Sequence, residues 1–425
     1  MCILIKTEQP YQTICCICEN LRVFLKWLFV ALITGGLIGG VGSLFHIALN
    51  YATELRITHG WMIWLLPLAG VLIVFLYRLC NIREPRGTDL VIEAVRTSEE
   101  LPAIMAPLIF VSTILTHLCG GSAGREGAVL QIGGSIGNKL GKCMRLDDEK
   151  SKNIMIMCGM SAAFSALFGT PVTATVFSME LISVGVMYYA ALVPCAVSAV
   201  IALEVARACG VAPEAFQVYG IPDTNIGSIS RVLVLSLLCA GLSIVFCFCL
   251  HQAGRLYKKY LSNQYLRAAA GGALVLLLVL VFQTREYLGA GMDVIERSIQ
   301  GEALPWAFAL KLLFTAVTLG AGYKGGEIVP GFFVGATFGC VVGGFLGLHP
   351  SFGAALGLVA LFCGVTNCPI TALMLAFELF HFTGVLFFLL AVAVSYMLSG
   401  YFSLYSAQKF VYAKTRPEFI NRCAH

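Results

Sequence analysis

The chain repeats part of itself. Residues 91–102 return at 294–305 with six of twelve positions identical and no gap. A second echo, at similar spacing, links Pro-Val-Thr-Ala at 171–174 to Pro-Ile-Thr-Ala at 369–372, and each is followed by a Glu-Leu pair. Two structural repeats of roughly 200 residues in an apolar chain are typical of membrane transporters, which bind substrate where the halves meet.

The composition fits a protein dissolved in lipid. Hydrophobic residues make up 58% of the chain and charged residues only 12%, which is too apolar for the surface of a soluble protein. About 20 apolar residues cross a bilayer. Long and nearly uncharged stretches occupy residues 23–48, 61–78, 231–250, 270–282 and 385–400. The sequence therefore predicts an all-α polytopic membrane protein.

Basic residues lie near both ends of the chain, whose formal net charge is +5. Cytoplasmic segments of membrane proteins carry an excess of Lys and Arg. The terminal basic residues are Lys6, Arg22, Lys26, Lys409, Lys414, Arg416 and Arg422. We therefore expect both termini to be cytoplasmic in the cell membrane, with an even number of full crossings.

Many of the 44 glycines lie at 120–141 and 320–347, where a small residue recurs every three or four positions. This spacing indicates close helix packing, for Gly133, Gly134, Gly137, Gly335 and Gly339. The first parts of these segments, 120–127 and 322–330, differ because they contain charged residues. Broken backbone at membrane depth is tolerated only inside protein or beside a water-filled cavity.

The two glycine-rich breaks, at 120–127 and 322–330, favour the binding of an anion. A helix that begins inside the membrane presents free N–H groups and the positive end of its dipole. A glutamate beside such a site competes with the anion as a carboxylate and vacates the site when protonated, which couples proton and anion movement. Glu126 and Glu327 are the candidates. The alternative is that each carboxylate accepts backbone hydrogen bonds at a helix start.

Three motifs resemble the signatures of the CLC family of anion channels and proton-coupled anion antiporters. They are Gly-Arg-Glu-Gly at 124–127, Gly-Gly-Glu-Ile-Val-Pro at 325–330 and Leu-Tyr-Ser at 404–406, in the family's order and spacing. The resemblance covers about residues 22 to 420. It implies a CLC-type inverted-repeat helical fold with broken and short intramembrane helices, and a homodimer with one pore in each subunit.

The resemblance also implies roles for individual residues. By position, Glu126 matches the gating glutamate of the family. Tyr405 matches the tyrosine whose hydroxyl donates to a central anion, and Ile328 matches a residue whose backbone N–H lines the site.

Departures from the family pattern resemble its fluoride-exporting branch. Chloride-selective members carry Gly-Ser-Gly-Ile-Pro where this chain has Pro-Arg-Gly-Thr-Asp at 85–89. The inner glutamate of chloride/proton exchangers is replaced by Leu181, with Glu180 one step before it, and Glu327 is the third residue of the third signature. The fluoride branch often has Thr where this chain has Val329.

A second carboxyl group fits the chemistry of fluoride. Fluoride is small and basic, and it favours a protonated carboxyl donor more than chloride does. Glu327 is the candidate donor. Phe332 and Phe333 either offer positive ring edges to a desolvated anion or belong to the packed core. Arg86 is either an anion-attracting residue at the inner mouth or a snorkelling cation at a helix end.

The sequence thus predicts a fluoride/proton antiporter that exports fluoride; a chloride/proton antiporter or a passive chloride channel of the same family is the alternative. The predicted proton-linked carboxyl groups are Glu126 and Glu327, and the predicted anion-binding residues are Gly87, Thr88, Gly124, Arg125, Gly127, Ile328, Val329, Phe332, Phe333 and Tyr405. The predicted segments are an N-terminal segment (1–21), a first repeat (22–208), a linker (209–228), a second repeat (229–402) and a C-terminal helix and tail (403–425).

Other classes of function have little support. The glycine-rich segments lack a P-loop lysine, so no nucleotide cofactor is expected, and the partners expected are ions, lipid and a second copy rather than nucleic acid. An intramembrane hydrolase would need Ser122 or Ser135 beside His117. The cluster Cys15, Cys16 and Cys18 is a weak candidate for metal binding or acylation, and we expect no metal site.

Overall fold

The computed structural model describes residues 9–82, 86–97, 99–146 and 148–424, with side chains from residue 17 onward. Lys6, Pro85 and the side chains of Cys15 and Cys16 lie outside the described residues, as do residues 1–8 of the predicted N-terminal segment. The described chain is built from sixteen α-helices and three short strands.

Eight helices in the first half are matched in order by eight in the second. The first eight are α1 (Gln9–Thr58), α2 (Leu66–Leu79), α3 (Thr88–Thr97), α4 (Met105–Leu118), α5 (Glu126–Cys143), α6 (Glu149–Phe168), α7 (Pro171–Glu180) and α8 (Leu192–Ala208). The second eight are α9 (Ile226–Tyr260), α10 (Gln264–Phe282), α11 (Met292–Ile299), α12 (Ala307–Gly320), α13 (Ile328–Phe345), α14 (Pro350–Thr366), α15 (Pro369–Leu379) and α16 (Val385–Leu398). The equivalents α4 and α12 each have 14 residues, and α5 and α13 each have 18.

The sequence echo at 171 and 369 produces a reciprocal contact between the halves. Both α7 and α15 begin with proline at the first helical position, a residue whose fixed φ suits a helix start. Glu378, near the end of α15, accepts hydrogen bonds from the backbone and hydroxyl of Thr173 at the start of α7. Glu180, at the end of α7, does the same for Thr371 at the start of α15. A reciprocal contact of this kind is the signature of two-fold symmetry.

Glycines bring α5 against α6 and α13 against α14. A side chain on Gly133 would overlap the carbonyl oxygen of Gly159, and one on Gly339 would overlap that of Gly353. The close helix packing predicted from the glycine spacing is therefore confirmed at these positions. These four helices form the centre of the molecule, since α14 is almost completely buried and α6 is buried from Met155 to its end.

The described residues include seven helices long and apolar enough to cross a membrane, and five apolar helices of 10–17 residues. Large apolar side chains such as Leu44 and Phe248 are more than half exposed on the outer helices. The fold is that of a multi-pass membrane protein. The predicted repeat boundaries at 22 and 229 lie within α1 and α9.

The prediction of a helix after residue 403 is wrong for the described residues. Turns occupy residues 403–408, and two strands follow, β2 (Lys409–Tyr412) and β3 (Phe419–Cys423). The strand β2 pairs in parallel with β1 (Ser183–Val184), which follows α7, and antiparallel with β3. The tail is thus fixed by pairing with a segment more than half the chain away.

Candidate anion-binding site

Two helix starts face each other where the halves meet. Gly124 and Gly326, which precede α5 and α13, exchange backbone hydrogen bonds of 2.7 and 2.8 Å in an antiparallel bridge. Within the described chain, neither helix start has a side-chain cap hydrogen bond. The positive ends of two helix dipoles therefore point into one space, which suits a small anion.

The Glu126 carboxylate occupies this shared space. Glu126 is completely buried, and its Oε1 accepts a hydrogen bond from the backbone N–H of Arg125 at 3.2 Å. The backbone N–H of Val329, at the start of α13, also faces the carboxylate. A methyl group on Gly124 would lie 2.5 and 2.6 Å from its oxygens, and one on Gly326 would overlap it. Glycine is required at both positions for the carboxylate to fit.

Glu327 lies beside the same space but does not cap its helix. It is the N-cap residue of α13, yet its side chain makes no cap hydrogen bond, and its buried Oε2 has no partner among the described residues. A methyl group on Gly127 would lie 2.9 Å from Thr88 Oγ1 and 3.4 Å from Glu327 Oε2. The starts of α3, α5 and α13 therefore converge here.

Tyr405 reaches the site from the C-terminal turn. It is 2% exposed, and its hydroxyl has no hydrogen-bond partner within the described part of the chain. Glu327 and Glu126 both lie within electrostatic range of that hydroxyl. A buried phenol normally finds a partner, so an unpartnered one at this point is available to a ligand.

Other predicted site residues have different surroundings. The Arg125 guanidinium bonds to Glu214 at 2.5 Å, and the hydrogen bond from Arg125 to Glu126 comes from the backbone N–H. Phe332 packs against Phe362 at 5.4 Å between ring centroids. Phe333 packs edge-on to Tyr287 at 6.1 Å and beneath Lys311. These contacts favour core packing for both rings, and an anion contact by either stays a prediction. The side chain of Ile328 is buried, with no site contact described.

A cavity of about 510 Å³ leads from one face of the molecule to Glu327. Gly87, Thr88, Gln131 and Lys324 line it. Lys324 is not among the residues predicted for the site. A lysine followed by two glycines in an apolar segment was the signal that could have identified it.

Arg86 also lines this cavity, but its guanidinium bonds to Glu93 and Glu99. The hydrogen bond from Arg86 lowers the pKa of the exposed Glu99 below its ordinary value. The two roles predicted for Arg86, an anion-attracting residue at the inner mouth and a snorkelling cation at a helix end, did not include this ion cluster. In this cluster at the cavity mouth, Arg86 and Glu99 are exposed and Glu93 is half-buried.

The residues proposed for a hydrolase do not contact one another. His117 Nε2 bonds to the Gly124 carbonyl at 3.1 Å, and Ser122 Oγ bonds to Thr315 at 3.0 Å. A nucleophile–base pair is not formed at His117 in the described chain.

Leu181, which replaces the family's inner glutamate, is completely buried. Glu180 beside it accepts a hydrogen bond from the first turn of α15 and so caps that helix.

The profile of the family described as "Voltage gated chloride channel" matches residues 69–400. The chain belongs to the CLC family. Its membership and the all-α polytopic fold predicted from the sequence are both confirmed. CLC proteins are transporters and channels, which agrees with the helix starts and carboxyl groups described above.

The chain is similar to several individual CLC proteins. The chain is 33% identical over 403 residues to a "Chloride/fluoride channel protein" of Pseudomonas syringae pv. tomato, covering 93% of this chain and 89% of that one. It is 25% identical over 387 residues to an H⁺/Cl⁻ exchange transporter of Vibrio campbellii, with 83% and 81% covered. The crystal structure of a CLC-type fluoride/proton antiporter superposes with a TM-score of 0.87 at 31% identity, over 90% of this chain and 98% of that one.

Proposed function

We propose that this CLC protein exports fluoride in exchange for protons. The observation that carries the proposal is the pair of carboxyl groups, Glu126 and Glu327, at two facing helix starts whose own N-cap residues make no side-chain cap hydrogen bond. The similarity to a protein named for chloride and fluoride, and to a fluoride/proton antiporter, supports the same conclusion.

Glu126 is the element that couples the two ions. Its carboxylate fills the space between the helix starts, so an anion enters only when the side chain leaves. Protonation removes the charge that the helix dipoles attract and releases the side chain. The exchange of carboxylate for anion at one site therefore couples proton movement to anion movement.

Glu327 is the element that favours fluoride. When protonated, it offers an O–H donor within the site, and its Oε2 has no competing partner among the described residues. Fluoride gains more than chloride from a short, strong O–H hydrogen bond.

A chloride/proton antiporter or a passive chloride channel is the second candidate. Val329 lies where the fluoride branch often has threonine, and its N–H faces Glu126. Relatives named as H⁺/Cl⁻ exchange transporters also cover most of the chain.

Anion efflux from liposomes distinguishes the candidates. Purified protein should release fluoride faster than chloride by about 5- to 150-fold, because one ion-specific hydrogen bond is worth roughly 1–3 kcal/mol. Each gradient should drive proton movement that a protonophore dissipates. Equal rates for the two anions would support the chloride function, and flux without proton movement would support a channel.

We further propose that the protein is a homodimer, as the CLC resemblance implies, and that it lies in the cell membrane with both termini cytoplasmic, as its terminal basic residues predict. Trp27, in the N-terminal half of α1, packs against the cluster that contains Leu146, just beyond the end of α5. Arg96, at the end of α3, donates to Ala407 in the C-terminal segment. Lys142 in the last turn of α5 pairs with Glu100, just beyond α3. These contacts bring both terminal segments toward one face, whose basic residues favour the cytoplasm.

Replacing Tyr405 tests the inner end of the site. Tyr405→Phe removes one donor to a partly desolvated anion and should weaken anion binding by roughly 1–3 kcal/mol. Tyr405→Ala also removes the ring and should let anions pass without protons. Isothermal titration and stoichiometry measurements check both variants. If both merely lower stability while affinity and coupling stay unchanged, Tyr405 is a core residue.

A further inference from the structure

The position of Tyr405 is not fixed by regular secondary structure. Residues 403–408 form turns rather than a helix. The neighbouring Leu404 bonds through its backbone N–H to Val365, and the Tyr405 N–H goes to the Ser403 hydroxyl at 3.2 Å. A side chain that must meet a small anion needs more constraint than an isolated turn provides, so the contacts around the turn matter.

Gln408 is the buried hub of those contacts. Its amide is completely buried, and Nε2 donates to the carbonyls of Thr366 at 2.8 Å and Leu181 at 3.1 Å. These carbonyls end α14 and α7, where helices leave acceptors without intrahelical donors. One amide therefore joins the ends of two helices, one from each repeat.

The acceptor of the same amide is directed at the Tyr405 turn. Gln408 Oε1 accepts from the Ser403 hydroxyl at 2.8 Å, which leaves the Ser403 lone pairs to receive the Tyr405 N–H. The Gln408 backbone N–H also donates to the Tyr405 carbonyl at 3.1 Å. Tyr405 is thus held at both backbone groups by a chain of bonds that starts at Gln408.

The far side of the turn is held by the first repeat. Asp89, in the first turn of α3, accepts from the Ser406 hydroxyl at 2.5 Å and from the Ala407 N–H at 3.1 Å. Thr88, the residue before Asp89, lines the cavity that reaches Glu327. The turn is therefore clamped between the start of α3 and Gln408, and the Tyr405 ring has little freedom to shift.

We propose that Gln408 is a positioning residue for transport, which holds the Tyr405 hydroxyl at the anion site through Ser403. This inference rests on the proposed proton-coupled transport. A buried amide with every donor and acceptor engaged fixes one arrangement of the groups around it. Loss of the amide frees the turn, and the inner end of the site then leaks.

Gln408→Met keeps the length of the side chain and removes the amide. It should weaken apparent anion affinity by about 5- to 10-fold, the worth of roughly one hydrogen bond, and should lower the proton-to-anion ratio. Ser403→Ala cuts the link to Tyr405 while Gln408 keeps both carbonyl partners, so it tests the proposal if Gln408→Met does not fold. Asn138→Leu is the matched control. Asn138 lies in the second half of α5, away from the helix start, and its buried amide donates to the Leu101 carbonyl.

A double-mutant cycle separates positioning from general stability. In a Tyr405→Ala background there is no hydroxyl to position, so Gln408→Met or Ser403→Ala should cause no further change in coupling or affinity. Additive effects in the double variants would overturn the proposal, as would wild-type affinity and coupling in folded Ser403→Ala. Wild-type protein assayed in the same liposomes tests transport itself, so failure of the proposed function would be seen separately.

Discussion

In the Glu126→Gln variant, coupled proton transport is expected to be lost. Glutamine has nearly the shape of a protonated glutamate but cannot release a proton. Its amide oxygen can still accept from the Arg125 N–H, so the side chain fits between Gly124 and Gly326 without its charge. Whether the anion flux of the variant persists or stalls, no proton accompanies it.

Glu378→Gln is the control for this experiment. Glu378 is near the end of α15, but its carboxylate also lies at a helix start, where it accepts three hydrogen bonds from the first turn of α7. Its replacement should lower stability by about 0.5–2 kcal/mol, as for other lost helix caps, and leave coupling intact. Proton uptake into liposomes under an anion gradient measures the coupling of both variants. Coupled uptake in Glu126→Gln would remove Glu126 from the mechanism.

The sequence predicted the parts of the site that depend on local chemistry. Glycine next to a charged residue in an apolar segment allows few structures other than a broken helix. That constraint singled out Glu126 and Glu327 as candidates, and the two sequence echoes indicated the repeats that bring the breaks together. The backbone bridge between Gly124 and Gly326 was not predicted.

Contacts between distant parts of the chain could not be predicted in the same way. Glu180 lies one position before the place of the family's inner glutamate, but its carboxylate accepts a hydrogen bond from Thr371, 191 residues away in the sequence. No local pattern tells a proton relay from a cap when the backbone being capped belongs to the other repeat. Gln408 is similar, because its role depends on two helix ends that only the folded chain brings together.

The wrong prediction of a helix after residue 403 has the same cause. The segment follows an apolar helix and contains Tyr405 in a family motif, which favoured continuation of the helix. Its backbone groups are instead satisfied by Ser403, Asp89 and strand β1. Serine and aspartate offer the backbone such alternatives to helical bonds.

Glu327→Gln is expected to reduce the preference for fluoride over chloride by about 5- to 30-fold, or roughly 1–2 kcal/mol. An amide N–H is a weaker donor to fluoride than a carboxyl O–H, and chloride loses less by the change. The helix-cap alternative for Glu327 predicts a loss of stability instead. That alternative is already weakened, since the Glu327 side chain makes no cap hydrogen bond to α13.

Glu180→Gln separates these two explanations of Glu327. Glu180 is a buried glutamate that does cap a helix, so its replacement should lower the thermal stability of the detergent-solubilised protein and leave anion preference alone. Fluoride and chloride efflux from matched liposomes, measured for both variants, gives the comparison. An unchanged fluoride-to-chloride ratio and unchanged coupling in folded Glu327→Gln would leave Glu126 as the sole proton-linked carboxyl group of the site. The anion preference would then have to come from the backbone N–H groups at the two helix starts.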